Sequence, residues 1–469
     1  MRLSGETEAL FTALRQSADG GVVAAVERLI ETAPDRDLCR INLIDFAATA
    51  GLDEEATIAA FLHAARLGIF ELSWNVLCPG CGGVLDEGAT LKTIDRSEYQ
   101  CALCAADYEP TLDEMVEVTF TVNPRVRRIA AHDPHSLPFA EYYRQVFWSS
   151  GVDLPRDQEV FEALLENIVL DFVELPGGEK AVLSLHLPAG LFIMFDPVTH
   201  SAHFIEVAGE PTRERHSLSI VLDKQHPPIG KLPMPPGPLR IAIENHTNVR
   251  ALPGVWAAGD DLHALLGQRR PFVTAKRLLT NQTFRDIYRT ETLDINQRLK
   301  ITSLTFLFTD LKGSTEMYER VGDLVAFDLV RAHFNILHEI IAAEAGAVVK
   351  TIGDAVMATF PTPDRAVAAA LRMRDAIRDL NPDLLVKIGI HEGPCLAVML
   401  NERQDYFGQT VNIASRVQGL AMSRSIFASG QVVDHAEASK LLAANGITAE
   451  PQNCELRGVA HEVAVYMIP

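Results

Sequence analysis

Long apolar runs are missing from this 469-residue chain: no stretch of 18 apolar residues occurs, so no segment reads as a membrane-spanning helix. The greasiest segment, Ala181 to Phe195, follows Lys180, contains His186 and Pro188, and is too short for a bilayer. Basic residues are also scarce, with 42 Lys and Arg against 62 Asp and Glu and a formal net charge of −20. That sign argues against a nucleic-acid partner, which needs a basic surface, and against docking on anionic lipid. The first residues, MRLSGETEALF, lack the basic start and apolar core of a secretory signal. Seven cysteines in so long a chain do not suggest a disulfide framework. The expected setting is cytoplasmic, and neither repeats nor low-complexity tracts are seen.

An apolar content of 48% supplies ample core, and the length suggests several domains. Residues 1–75 read as helices. Gly51 is a helix stop, and Asp53 to Glu55 make the acidic start of a helix reaching Arg66. This helix–turn–helix outline is winged-helix-like. The acidic second helix has the wrong sign for a DNA groove, which favours a packing module. Residues 76–115 form a metal-type insert, and 116–270 a β-rich sensor or regulatory domain. Its clearest strands are Val116–Val122, Ala181–Leu187, Leu191–Phe195, Ser217–Leu222 and Leu239–Asn245, with Pro233 to Pro238 as a break. A sandwich or open barrel is expected there. Residues 271–300 are a helical linker, with helix from Ala275 to Glu291. From 301 to 469 strands and helices alternate in the order βαββαβ, an α/β ferredoxin-like pattern.

Cys78-Pro-Gly-Cys81 and Cys101-Ala-Leu-Cys104 lie 19 residues apart. Two such knuckles supply four thiolates to a tetrahedral site, so a structural Zn²⁺ in a zinc-ribbon-like motif is expected. Cys39, Cys395 and Cys454 are isolated and read as core. Six histidines, His186, His200, His203, His216, His226 and His246, are scattered through the β-rich region; ordinary surface or core roles are expected rather than a second metal site.

Asp310 ends the strand Leu304 to Thr309, where a carboxylate on an apolar face calls for solvent, a cap or a metal. After it, Gly313, Ser314 and Thr315 form a turn opening a helix, a backbone arrangement suited to phosphate. Asp354 sits in the Gly-Asp turn between strands Val348–Ile352 and Ala355–Phe360. Two carboxylates converging at strand ends suit Mg²⁺ or Mn²⁺ shared with substrate phosphates.

Three segments then carry a family resemblance: Phe308-Thr-Asp-Leu-Lys-Gly-Ser-Thr315, Val349-Lys-Thr-Ile-Gly-Asp-Ala-Val356 and Asp405-Tyr-Phe-Gly-Gln-Thr-Val-Asn-Ile-Ala-Ser-Arg416. Together they resemble the class III nucleotide cyclases, from about residue 302 to 469. A diguanylate cyclase is disfavoured, because its turn carries paired glycines before acidic residues. The resemblance implies a head-to-tail homodimer with two composite sites and two Mg²⁺ or Mn²⁺ ions in each. It assigns Asp310, the adjacent Leu311 and Asp354 to the metals of one chain. From the partner it assigns Lys350 and Asp405 to the base, and Asn412 and Arg416 to the ribose and the reacting phosphate. Arg457 is either a triphosphate contact or a solvated charge. Lysine only donates and aspartate only accepts, which matches adenine N1 and N6 and mismatches guanine. ATP is therefore the expected substrate and cyclic AMP the product. The N-terminal half is expected to regulate through a ligand the sequence does not identify.

Overall fold

The computed structural model describes residues 5–223, 230–288, 293–294, 297–312, 319–381, 384–400, 403–421, 425–452, 456 and 463–469. Two compact units are present. One runs to Val273; the other runs from Thr274 to Pro469 and also takes in Thr90–Lys92 and Thr111–Glu114. Gly313, Ser314, Thr315, Cys454 and Arg457 lie outside the described residues. Among the described residues no helix is long and apolar enough to cross a membrane.

The first unit opens with helices Gly5–Leu14, Gly20–Thr32, Leu43–Ala50 and Glu54–Arg66. Asp19, Asn42 and Asp53 cap the last three by accepting backbone N–H groups, and Gly51 ends the third in the left-handed region at φ 65°. The fourth helix buries Ile58, Phe61 and Leu62. Phe61 stacks on Phe70 at 4.8 Å and meets Phe120 edge-on at 5.5 Å, so this helix is a packing element against strands Phe70–Leu77 and Val116–Val122. Val116–Val122 therefore does not open the β-rich region as the sequence suggests. It pairs antiparallel with Phe70–Leu77, which also pairs with Val84–Gly88.

The β-rich part is a sandwich. A five-stranded sheet orders Lys231–Met234, Ser201–Val207, Gly190–Asp196, Gly254–Ala257 and Val169–Phe172. A three-stranded sheet orders His216–Leu222, Gly237–Asn245 and Lys180–Leu187. Leu187, Ile220, Ile241 and Ile243 from one sheet meet Met194, Ile205, Val207 and Val255 from the other in a single core. Pro233, expected in a break, lies instead in Lys231–Met234, an edge strand where a missing N–H is tolerated.

In the second unit the expected continuous linker helix is two short ones, Ala275–Leu279 and Gln282–Ile287, because Asn281 caps the second by accepting from the Phe284 N–H. Then come β1 (Leu299–Lys312), α1 (Asp323–Ala343), β2 (Ala347–Ile352), β3 (Ala355–Phe360), α2 (Pro363–Leu380), β4 (Leu385–Leu400), β5 (Arg403–Phe407), α3 (Gln409–Leu420) and β6 (Ile426–Ser429). Helices α4 (Gly430–Val433) and α5 (Ala436–Ala444) precede β7 (Glu450–Gln452) and β8 (Val465–Ile468). The sheet order is β2-β3-β1-β4-β6-β8-β7, with β5 hairpinned onto β4. Its first four strands have the expected ferredoxin-like order. Leu337 and Ile341 of α1 and Met373 and Ile377 of α2 pack against Leu307, Ala358, Ile388 and Ile390.

β4 runs unbroken through Gly393-Pro394. The register between β1 and β4 slips between Ile301 and Leu304, opposite Pro394, so the ladder asks no hydrogen bond of the proline.

Candidate functional site

Period-two alternation puts Asp310 on the β1 face shared by Leu304, Phe306 and Phe308, opposite the Leu307 face that α1 and α2 cover. α3 packs over this second face. It can approach closely because β4 carries Gly389, where a Cβ would lie 2.1 Å from the Gln418 backbone N. Lys387, directly across the ladder, brings Nζ to 3.9 Å from Asp310 Oδ2, and the Gln418 amide also favours the ionised carboxylate. Burial raises the Asp310 pKa, the Asp354 charge raises it further, and Lys387 pulls it back down.

Asp354 follows Gly353, whose φ of 64° makes the tight β2–β3 turn. β3 pairs Val356 with Thr309, and continuing that register puts Asp354 beside Leu311. Asp354 Oδ2 is buried and meets no hydrogen-bond donor among the described residues. A sheathed carboxylate oxygen next to a second carboxylate is costly, and a divalent cation removes that cost, so this donor set fits Mg²⁺ or Mn²⁺. His333 of α1, fully buried with neither nitrogen bonded among the described residues, also feels the Asp354 charge; burial lowers its pKa to about 4.

Lys350 and Asp405, 55 residues apart in sequence, meet within one chain: Lys350 Nζ donates to Asp405 Oδ2 at 2.5 Å. Asp405 lies in β5, a strand the sequence did not suggest, and its Oδ1 accepts the Tyr406 N–H at 2.8 Å. The lysine side chain is 41% exposed and the aspartate 11%, so the pair opens to solvent from its lysine side. Asn412 and Arg416 stand one turn apart on the exposed face of α3, whose other face buries Ile413, Ala414 and Val417.

In the first unit the Sγ atoms of Cys78, Cys81, Cys101 and Cys104 all lie within 4.8 Å of one another. The Cys78–Cys104 and Cys81–Cys101 separations are both 3.6 Å. A tetrahedron with Zn–S bonds near 2.3 Å has edges of about 3.8 Å, so the spacing suits zinc and is far too long for disulfides. The Cys81 and Gly83 N–H groups point at Cys78 and Cys81 sulfurs at 3.5 and 3.4 Å. Arg269 donates to the Gly80 carbonyl at 2.9 Å, where its charge faces the thiol cluster. No other group with such spacing, histidines included, occurs among the described residues.

Lys387, Gln418 and Gly389 are neighbours of the carboxylate pair that sequence reasoning missed. Lys387 left a signal, a lone charge in the apolar run Leu385 to Ile390. Gln418 and Gly389 left none that could be read without the packing of α3.

Residues 4–286 match the model of a family of unknown function, DUF5939. Residues 297–469 match the adenylate and guanylate cyclase catalytic domain. An uncharacterized protein of Mycobacterium tuberculosis is 32% identical over 127 residues, 27% of this chain and 32% of that protein. An adenylate cyclase of Anabaena cylindrica is 33% identical over 135 residues, 25% of this chain and 27% of that protein. The chain spans about a third or less of the length of these two curated relatives. Among solved structures, the adenylyl cyclase CyaB of P. aeruginosa is 22% identical, covering 37% of this chain and 96% of that one, with a TM-score of 0.32. The guanylate cyclase domain of RhGC from Catenaria anguillulae, in complex with GTP, gives 22% identity, 36% and 97% coverage, and a TM-score of 0.32.

Proposed function

We propose that this chain, which belongs to the DUF5939 family and carries a class III cyclase catalytic domain at residues 297–469, converts ATP to 3′,5′-cyclic AMP and pyrophosphate. The observation that carries the choice of nucleotide is the Lys350–Asp405 pair. One member only donates and the other only accepts. Adenine offers the matching acceptor at N1 and donor at N6, whereas guanine reverses both and would leave two polar groups unpaired.

Asp310 and Asp354, with Leu311 beside them, would hold the metal ions; Mg²⁺ or Mn²⁺ there would acidify the ribose 3′-hydroxyl and offset charge on the departing pyrophosphate. Asn412 orients the ribose, so that its 3′-oxygen faces the α-phosphorus. Arg416 forks onto phosphate oxygens as charge builds on them. Gly313, Ser314, Thr315 and Arg457 are the further phosphate contacts of this reading. The base pair and the α3 residues act on the nucleotide held by the other chain of a homodimer. Leu324, Phe327, Ile352 and Phe407 support a second copy, because a single chain leaves these large apolar side chains 55% or more exposed. The four cysteines hold a structural Zn²⁺, and the N-terminal family region regulates the enzyme.

Purified protein incubated with ATP or GTP and Mn²⁺ or Mg²⁺ decides the matter. Cyclic AMP from ATP, in large excess over cyclic GMP from GTP, is expected. Formation of neither product would sink the enzyme reading, and equal use of both nucleotides would sink the choice of ATP.

A further inference from the structure

β2 is an edge strand of the eight-stranded sheet, so the N–H and C=O groups on its free side need partners from elsewhere. Its ladder with β3 slips between Val348 and Lys350, immediately before the lysine that meets Asp405. A bulge of this kind re-aims the side chain that follows it, and holds only if its freed polar groups are bonded.

The segment from Thr274 to Tyr288 supplies those bonds. Its helices are fixed by Thr274 and Asn281 caps and by buried Leu278, Leu279 and Phe284. Gln282 Oε1 accepts the Val348 N–H at 2.8 Å. Arg285 Nη2 donates to the Gln404 carbonyl at 2.9 Å and reaches the Val349 carbonyl at 3.5 Å. The Tyr406 hydroxyl donates to the Leu279 carbonyl at 3.3 Å. One guanidinium thus spans the residue before Lys350 and the residue before Asp405, on two strands that are not neighbours in the sheet.

We propose that Arg285 is a positioning residue that sets the separation of Lys350 and Asp405, so that the segment 274–288 controls recognition of the base. This rests on the reading of that pair as the base-contacting groups. Any shift of Arg285 moves the backbones of β2 and β5 together. The pair keeps its geometry while the guanidinium forks between them and loses it when the fork opens. Lysine at 285 keeps the charge but cannot span both carbonyls, so it restores only part of the effect.

The test is steady-state kinetics on the full-length protein with ATP and GTP, for wild type, Arg285→Ala, Arg285→Lys, Gln282→Ala and Lys350→Glu. Arg285→Ala is expected to raise KM for ATP about tenfold with kcat within about threefold, because the bonds it removes support ground state and transition state alike. Its ATP preference over GTP should narrow, Arg285→Lys should fall between, and Gln282→Ala should shift the same way. Thermal melting of each variant separates this from loss of fold, and the Lys variant serves if the Ala variant does not fold. If Lys350→Glu changes the nucleotide preference while neither position-285 variant moves KM or preference, the positioning role is overturned. If Lys350→Glu itself leaves the preference unchanged, the base-reading assignment falls first and this inference with it.

Discussion

Lys350 donates to Asp405 across 2.5 Å within a single chain, with no partner chain needed to assemble the pair. Either member alone would leave a charge short of its counterion on a half-buried surface. Lys350→Glu places two carboxylates together and offers adenine N1 no donor. It should lower kcat/KM for ATP by on the order of 10²-fold. Initial rates with ATP and GTP check this; an unchanged ratio between them would refute the base-reading role.

Among the described residues Asp354 Oδ2 is buried without a donor, and the Asp354 charge adds to the burial that raises the Asp310 pKa. Asp354→Asn removes that uncompensated charge, so the metal-free protein should become more stable by about 1–3 kcal/mol. The same change removes a proposed metal ligand, and activity should fall roughly 10³-fold or more, since a metal contributes several kcal/mol to such a transition state. Melting in the absence of divalent ions, paired with cyclase assays, tests both halves. Lower stability with retained activity would show that Asp354 is an ordinary turn former.

Much of the catalytic unit was legible because its signals are local. The Gly353-Asp354 turn between two short strand-like runs marks the β2–β3 hairpin. β5 was not legible: Arg403 to Asp405 is polar and reads as loop, and only the ladder with Leu396–Leu400 makes it a strand. Nor was the partner of Val116–Val122, since choosing Phe70–Leu77 depends on which helix covers which face. The residues proposed for the metal and the base rest on donor and acceptor chemistry joined to a family resemblance. Lys387 and Gln418, which surround Asp310, and the Arg285 bridge depend on tertiary packing that no spacing encodes.

α3 lies so close to β4 at Gly389 that a methyl group there would overlap the Gln418 backbone. Backbone cannot swing aside as a flexible side chain can, so Gly389→Ala must lift the helix. A loss of about 1–3 kcal/mol is expected, as for other overpacked sites. The helix carries Asn412 and Arg416, so activity should drop by more than the folded fraction does. Parallel chemical denaturation and activity measurements would show this; loss of activity only in proportion to unfolding would argue that the helix position does not matter to catalysis.

The four-cysteine site predicts one tightly held zinc per chain. Metal released on denaturation can be counted with a chromogenic chelator. Cys81→Ser should abolish the stoichiometric zinc and lower the melting transition of the first unit, because metal binding there is folding free energy. Full zinc retention in that variant would exclude a four-thiolate site.

His391 is buried in β4, with Nδ1 2.8 Å from the Ser429 hydroxyl oxygen, and burial lowers its pKa to about 4. The folded state therefore binds a proton more weakly than the unfolded chain, whose histidine titrates near 6.5. Because the folded pKa is depressed, the stability tied to the neutral ring is complete above pH 6.5. It drains away as pH falls toward 4, by on the order of 3 kcal/mol in all. His391→Asn keeps a polar group near Ser429 and does not titrate, so its stability should fall less steeply over that range. The comparison of urea midpoints at pH 7.5, 6, 5 and 4.5 isolates this residue from the carboxylates, which titrate in both proteins. Identical slopes for wild type and variant would mean that His391 takes up its proton in the folded state as readily as in the unfolded one.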